Sequence, residues 1–246
     1  MKLQEKSTKT PQTHPEFHKD INVNIKLNYI RALVLGANDG IVSIAGLVVG
    51  VAGATSSVQT IFTAGMAGIV AGAISMAAGE YVSVSSSRDT ELALLEKEKY
   101  ELKHFPDHEQ DELAGIYESK GLSKKTAVQV AKELTEHDAY QAHIEAELGI
   151  DPNNLTNPWH AAYSSAGAFL VGSSIPLMGV MLPPQHLQVP VTFFSVIVAL
   201  VITGTVSAKI SKAPMLRAVV RVVTGGALAM IVTYSIGYLF GVQTSL

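Results

Sequence analysis

The stretch Ala71–Glu101, "AGAISMAAGEYVSVSSSRDTELALLEKEKYE", decides how this chain is read. It starts as small and apolar residues and ends as a comb of carboxylates. No Pro interrupts it and no Gly follows Gly79, so nothing stops one helix from running through both halves. One half suits lipid and the other suits cations.

The apolar half is one of five comparable segments. Roughly Tyr29 to Ala54, Val58 to Ser86, Ala161 to Leu182, Val191 to Ala208 and Ala218 to Phe240 each reach the about 20 residues needed to cross a bilayer. Polar or Pro-containing loops separate them: "TSSVQ", "PPQHLQVP" and "KISKAPMLR". Backbone groups must be paired inside lipid, so the spans are read as helices. The expected fold is therefore all-α, an integral membrane protein of five transmembrane helices with a three-helix insert between the second and third. Composition agrees: 48% of residues are hydrophobic and 16% charged, against about 25% charged in ordinary soluble domains.

Lysine and arginine set the expected orientation. None of the 18 falls in Thr55–Ser57, Pro183–Pro190 or Gly241–Leu246. The N-terminus is placed in the cytosol and the C-terminus outside. Residues 1–26 are polar, lack the apolar core of a signal peptide and read as a disordered cytosolic tail. The chain then divides into spans 1–2 (27–87), a cytosolic helical metal-binding domain (88–158) and spans 3–5 (159–246). Trp159, the only tryptophan, reads as an anchor at the membrane boundary.

From Arg88 to His160 the chain carries 16 acidic and 8 basic residues, while the whole protein is at −3. With so small a net charge, a nucleic-acid partner is not expected. Pro106 is expected to break the first insert helix, and Asp107 with Gln110 to open the second as a capping box. Gly121 should end the second, Ser123 cap the third, and "LGIDPNN" stop it near Gly149. Val128, Ala131 and Leu134 are the expected small core of the third.

Asp39, in "LGANDGIVSIAGLVVG", lies about 20 Å into span 1 at 1.5 Å per residue from Lys26. A carboxylate there costs at least about 2.5–3.5 kcal/mol. Either it serves a cation or proton pathway, or span 1 begins at Gly40 and Asp39 is a solvated N-cap. Met76 and Glu80 share a face of span 2 one turn apart; a thioether beside a carboxylate suits a borderline transition metal better than Ca²⁺ or Mg²⁺. In the insert, Glu98 and Glu101, then Glu109 and Glu112, are paired three apart, and His143 and Glu147 four apart. Each pair occupies one helix face. They form either a divalent-metal site or a solvated acidic surface. No hydrolytic or nucleotide-binding motif is present, so an enzyme is not expected and ion gradients are the expected energy source.

The strings "GANDGIVSIAGLVVGVAGA", "AGAISMAAGEYVSVSSSRDTE", the Glu pairs flanking "FPD", and "ELGID" resemble the vacuolar iron transporter family over most of the chain after the tail. The form "GEYVSVSSSRD" is similar to that of prokaryotic members, which points to a prokaryotic plasma membrane. The resemblance implies a homodimer of five-span subunits moving Fe²⁺, and often Mn²⁺, out of the cytosol in exchange for protons, with no permanently bound cofactor. Asp39 and Met76 match its intramembrane residues, and Glu98, Glu101, Glu109, Glu112 and Glu147 its cytosolic ligands. His143 stands where plant members have Met, and Gly68 where they have Glu. The competing expectation is a membrane-tethered module that binds, oxidises or senses iron.

Overall fold

The computed structural model describes residues 20–243, with side-chain surroundings for 29–241. Seven long helices follow in chain order: α1 (Asp20–Ala54), α2 (Val58–His104), α3 (Pro106–Ser119), α4 (Lys124–His143), α5 (Pro158–Met181), α6 (Gln188–Ile210) and α7 (Met215–Gln243). A π-helical turn, Ile144–Leu148, continues α4, and a short 3₁₀ turn, Gln185–Leu187, leads into α6. The described residues contain no strand.

Five helices are long and apolar enough to cross a membrane, at the five places expected from hydropathy. The protein is an all-α, multi-pass membrane protein. Helix α1 is its central member and packs on α5, α7, α2 and α6. The interhelical core gathers Ile41, Ile44, Val48 and Val49 from α1 with Ile61 and Ile69 from α2, Phe169 and Val180 from α5, Leu200 from α6 and Met230 from α7. Small residues let these helices close up. A Cβ at Gly40 would strike the Phe169 carbonyl of α5, and one at Gly237 the Gly50 carbonyl of α1.

Helix α2 runs 47 residues without a break, about 70 Å at 1.5 Å per residue. Ser57 caps its start by accepting from Thr60 N. Beyond about Ser86 it leaves the bundle as an arm, against which α3, α4 and the π turn fold. That small unit has its own core of Leu113, Ala114, Ala131 and Ala142, with Tyr117 and Leu134 packed on it.

Several local expectations change. Helix α1 opens at Asp20, so 20–26 of the segment 1–26 are helical; residues 1–19 lie outside the described residues. Helix α3 has no capping box: Phe105 is its N-cap without a side-chain bond, and Pro106 takes the first helical position, where its missing N–H costs nothing. Val128 is 44% exposed, and its neighbour Ala127 is the buried residue. Ser123 does cap α4, accepting from Thr126 N, and Gly149 ends the π turn in the left-handed region at φ 63°. Asn157 caps α5 by accepting from Trp159 N and His160 N.

Candidate metal centre

Three of the expected ligands converge inside the arm. Glu98 of α2, Glu109 of α3 and His143 of α4 are 2%, 3% and 0% exposed, and one ligand atom from each falls within 4.8 Å of the others. His143 Nδ1 stands 2.9 Å from Glu98 Oε1, 3.7 Å from Glu109 Oε2 and 3.7 Å from Glu147 Oε2. The shortest of these lacks hydrogen-bond geometry. Glu98 Oε1 and both ring nitrogens of His143 are buried without a hydrogen-bond partner. Buried polar atoms left so are rare, and here Glu98 Oε1 and His143 Nδ1 border a space they share with Glu109 and Glu147. Carboxylate oxygens and an imidazole nitrogen around such a space form a ligand set for a divalent transition metal.

The electrostatics have the same origin. Burial pushes the Glu98 carboxyl up to about 7, and the fields of Glu147, Glu109, Glu101 and Glu112 add to the shift. Glu109 is raised too, by burial first and by Glu112 next, while His143 pulls it back. Leu95 and Leu113, each one turn from a cluster carboxylate and almost wholly buried, keep the surroundings apolar.

A second group lies alongside. Exposed His108 Nδ1 is 3.7 Å from Glu109 Oε1 and 3.9 Å from Glu112 Oε2. Glu109 thus turns one oxygen to each group and could bridge two cations. His108 is not among the ligands expected from the sequence, although its four-residue spacing to Glu112 was the available signal. Glu101 is 2.9 Å from exposed Lys97, whose pKa that contact raises, and it reaches the cluster through its field on Glu98 and Glu109. Glu101 and His104 have the Glu-x-x-His spacing of di-iron sites, but His104 turns away. Its Nδ1 lies 2.7 Å from the Tyr100 carbonyl and its ring stacks on Tyr100.

In the membrane half, α1 is continuous on both sides of Asp39, so the solvated N-cap reading is excluded. Asp39 is half-buried ten residues into the span and accepts a 2.6 Å bond from Ser43 Oγ. Met76 packs, half-buried, against the interhelical core. One turn on, Glu80 lines a polar cavity of about 200 Å³ where α1, α2 and α5 leave the membrane.

Five apolar helices with a carboxylate part-way along the first, joined by one rod to an arm bearing a carboxylate–imidazole cluster, define a multi-pass membrane protein of the kind that handles ions. The sequence profile of the VIT family matches residues 30–238, and the chain belongs to that family. It is 41% identical over 212 residues to a "Vacuolar iron transporter" of Acanthamoeba castellanii, covering 86% of this chain and 78% of that one. It is 33% identical over 227 residues to "Vacuolar iron transporter homolog 1" of Arabidopsis thaliana, covering 92% and 90%. "Vacuolar iron transporter homolog 2.1" of the same plant is 31% identical over 237 residues, covering 96% and 92%. These relatives carry the names of transporters and not of enzymes.

Proposed function

We propose that the chain carries Fe²⁺, and Mn²⁺ with it, out of the cytosol in exchange for protons, with the arm collecting metal on the cytosolic side. The observation that carries this reading is the continuity of α2, which joins the buried cluster at Glu98 to the intramembrane face bearing Met76. The relatives' names supply the iron. The absence of Lys and Arg from Thr55–Ser57, Pro183–Pro190 and Gly241–Leu246 supports a cytosolic N-terminus and arm and an external C-terminus. "GEYVSVSSSRD" favours a prokaryotic plasma membrane.

Glu98, Glu109, His143 and Glu147 would hold the incoming ion, with Glu112 and Glu101 concentrating cations around it. Asp39 and Met76 form the intramembrane stage, with Glu80 at its cytosolic end. Asp39 takes metal or proton in turn, so acid on the far side releases the metal. A homodimer is part of this reading, and the position of Asp39 supports it. The face it shares with exposed Ser43 and Leu47 lies on the outside of the single chain, and a carboxylate facing lipid is costly. A second copy over that face would enclose a pathway lined by both Asp39 residues.

The test is flux in proteoliposomes with a pH gradient, offering Fe²⁺, Mn²⁺ and Mg²⁺ to wild type and Asp39→Ala. Fe²⁺ or Mn²⁺ flux that dissipates the gradient and vanishes in the variant supports the exporter. No flux of any ion, with metal still bound by the full chain, shifts the reading to a tethered metal-handling module.

A further inference from the structure

The segment "GEYVSVSSSRDTE" (Gly79–Glu91) lies between the metal cluster and the membrane interior, and neither uses most of it. Glu80, Ser83, Val84, Ser87, Arg88 and Glu91 recur at the three- and four-residue spacing of one helix face. All six line the polar cavity at the root of α2. Arg31 and Tyr29 of α1 and Thr156 before α5 close its other sides. A ready explanation would be an internal salt-bridge network, but none of Arg31, Arg88, Glu80 or Glu91 enters an ion pair among the described residues. Two guanidiniums thus share a cavity with hydroxyl groups and two carboxylates, and among the described residues neither guanidinium lies within ion-pair distance of a carboxylate.

The level of the cavity in the fold narrows its occupant. Tyr81 and Trp159 meet nearby at a tilt, ring centroids 4.7 Å apart, Trp159 stacks on Tyr163 at 5.7 Å, and Trp159 and Tyr163 are exposed. Tyr29 and His160 pair nearby at 6.5 Å. Such an aromatic belt marks the depth of lipid headgroups. Guanidiniums and hydroxyls at that depth match a phosphodiester, and basic pockets between spans are where headgroups seat. The carboxylates add a second requirement. Helix α2 leaves the membrane in the direction of rising residue number, so Glu91 lies on the aqueous side of Arg88 and Glu80 lies about 12 Å to the membrane side of it. A headgroup with its phosphate at Arg31, Arg88 and Ser87 puts its outer end at Glu91.

We propose that this cavity is a binding site for a phospholipid whose headgroup joins a phosphate to a primary amine, as in phosphatidylethanolamine. Arg31, Arg88, Ser83 and Ser87 take the phosphate and Glu91 accepts from the ammonium. A quaternary amine has no N–H to give Glu91, and phosphatidylglycerol has no cation for it. The site goes beyond the transport reading and does not depend on metal binding. It ties the lipid to the root of the arm-bearing helix.

The test uses the full chain, delipidated in detergent, with lipid retention read by native mass spectrometry. Phosphatidylethanolamine, phosphatidylcholine and phosphatidylglycerol of identical acyl chains compete at equal concentration. The expected result is retention of phosphatidylethanolamine about tenfold over either competitor, the worth of one hydrogen bond to a charged group. Arg31→Gln with Arg88→Gln should lose retention of all three. Glu91→Gln should keep phospholipid but lose the preference over phosphatidylcholine. Equal retention of the three headgroups by wild type overturns the proposal, and this arm needs no variant to fold. Undiminished retention by the folded arginine variant, checked by helicity and elution volume, also overturns it. Displacement of the lipid by millimolar inorganic phosphate would identify a soluble-anion site and overturn the lipid assignment.

Discussion

Glu98 is held where burial and four neighbouring carboxylates oppose its ionisation, and the metal binding proposed for it needs it ionised. Affinity of the arm for Mn²⁺ should therefore rise as pH passes upward through about 7 and fall below it. Calorimetric titration of the full chain between pH 5.5 and 8 checks this; Glu98→Gln should weaken binding at least about tenfold and flatten the pH profile. Stability moves the opposite way in the metal-free protein. The folded pKa lies above the ordinary value of 4.5, so the folded chain binds this proton more tightly than the unfolded chain. Its stabilising contribution is complete below 4.5 and is lost as pH rises through about 7. Thermal melts in detergent should show metal-free protein less stable at pH 8 than at pH 5.5 with respect to this group, and Mn²⁺ restoring the difference. Sequence spacing identified the paired carboxylates, because each pair is local to one helix. It could not distinguish Glu98, which is buried, from Glu101, which is held by Lys97, because that difference depends on which side of α2 meets α3 and α4.

Helix α4 hides a joint. At Asp138 the backbone opens to an extended conformation (φ −159°, ψ 94°), and the Asp138 carboxylate accepts a 2.9 Å bond from Gln141 N, capping a fresh segment. That segment and the π turn after it carry His143 and Glu147. Lys120 Nζ donates to the Ala146 carbonyl at 3.1 Å, and Lys99 lies over the Tyr140 ring at 5.1 Å, fixing the segment to α3 and α2. Asp138→Ala should weaken Mn²⁺ binding several-fold by loosening the aim of His143, with little change to the spans, as read by the same titration beside a melt. Ser123→Ala, which removes the α4 cap, should cost about 1 kcal/mol of arm stability and leave the pH profile in place. The stop at Gly149 was legible, since glycine tolerates the left-handed φ found there. The joint was not: "ELTEHDAYQAH" has no Pro or Gly to mark it.

The membrane half was the most legible part of the molecule, because twenty apolar residues in lipid leave the backbone little choice but a helix. How those helices meet was not legible, since glycines four apart serve any close contact. The structure places them: α1 meets α5 through Gly40 and meets α7 through Gly50 opposite Gly237. Gly237→Ala would drive a methyl group into the Gly50 carbonyl and should lower the yield of folded protein by several-fold, measured as monodisperse material after extraction. The unbroken length of α2 has a further consequence. Glu98 stands twelve residues past Ser86, the end of the span expected from hydropathy, about 18 Å farther along an unbroken helix. A 10° change in tilt at that point sweeps that carboxylate through about 3 Å, more than a metal–oxygen bond length. Spans tilt to match the bilayer they sit in. Under the proposed metal role of Glu98, acyl-chain length should act on that carboxylate as a mechanical input, read as a change in Mn²⁺ affinity between bilayers of different thickness.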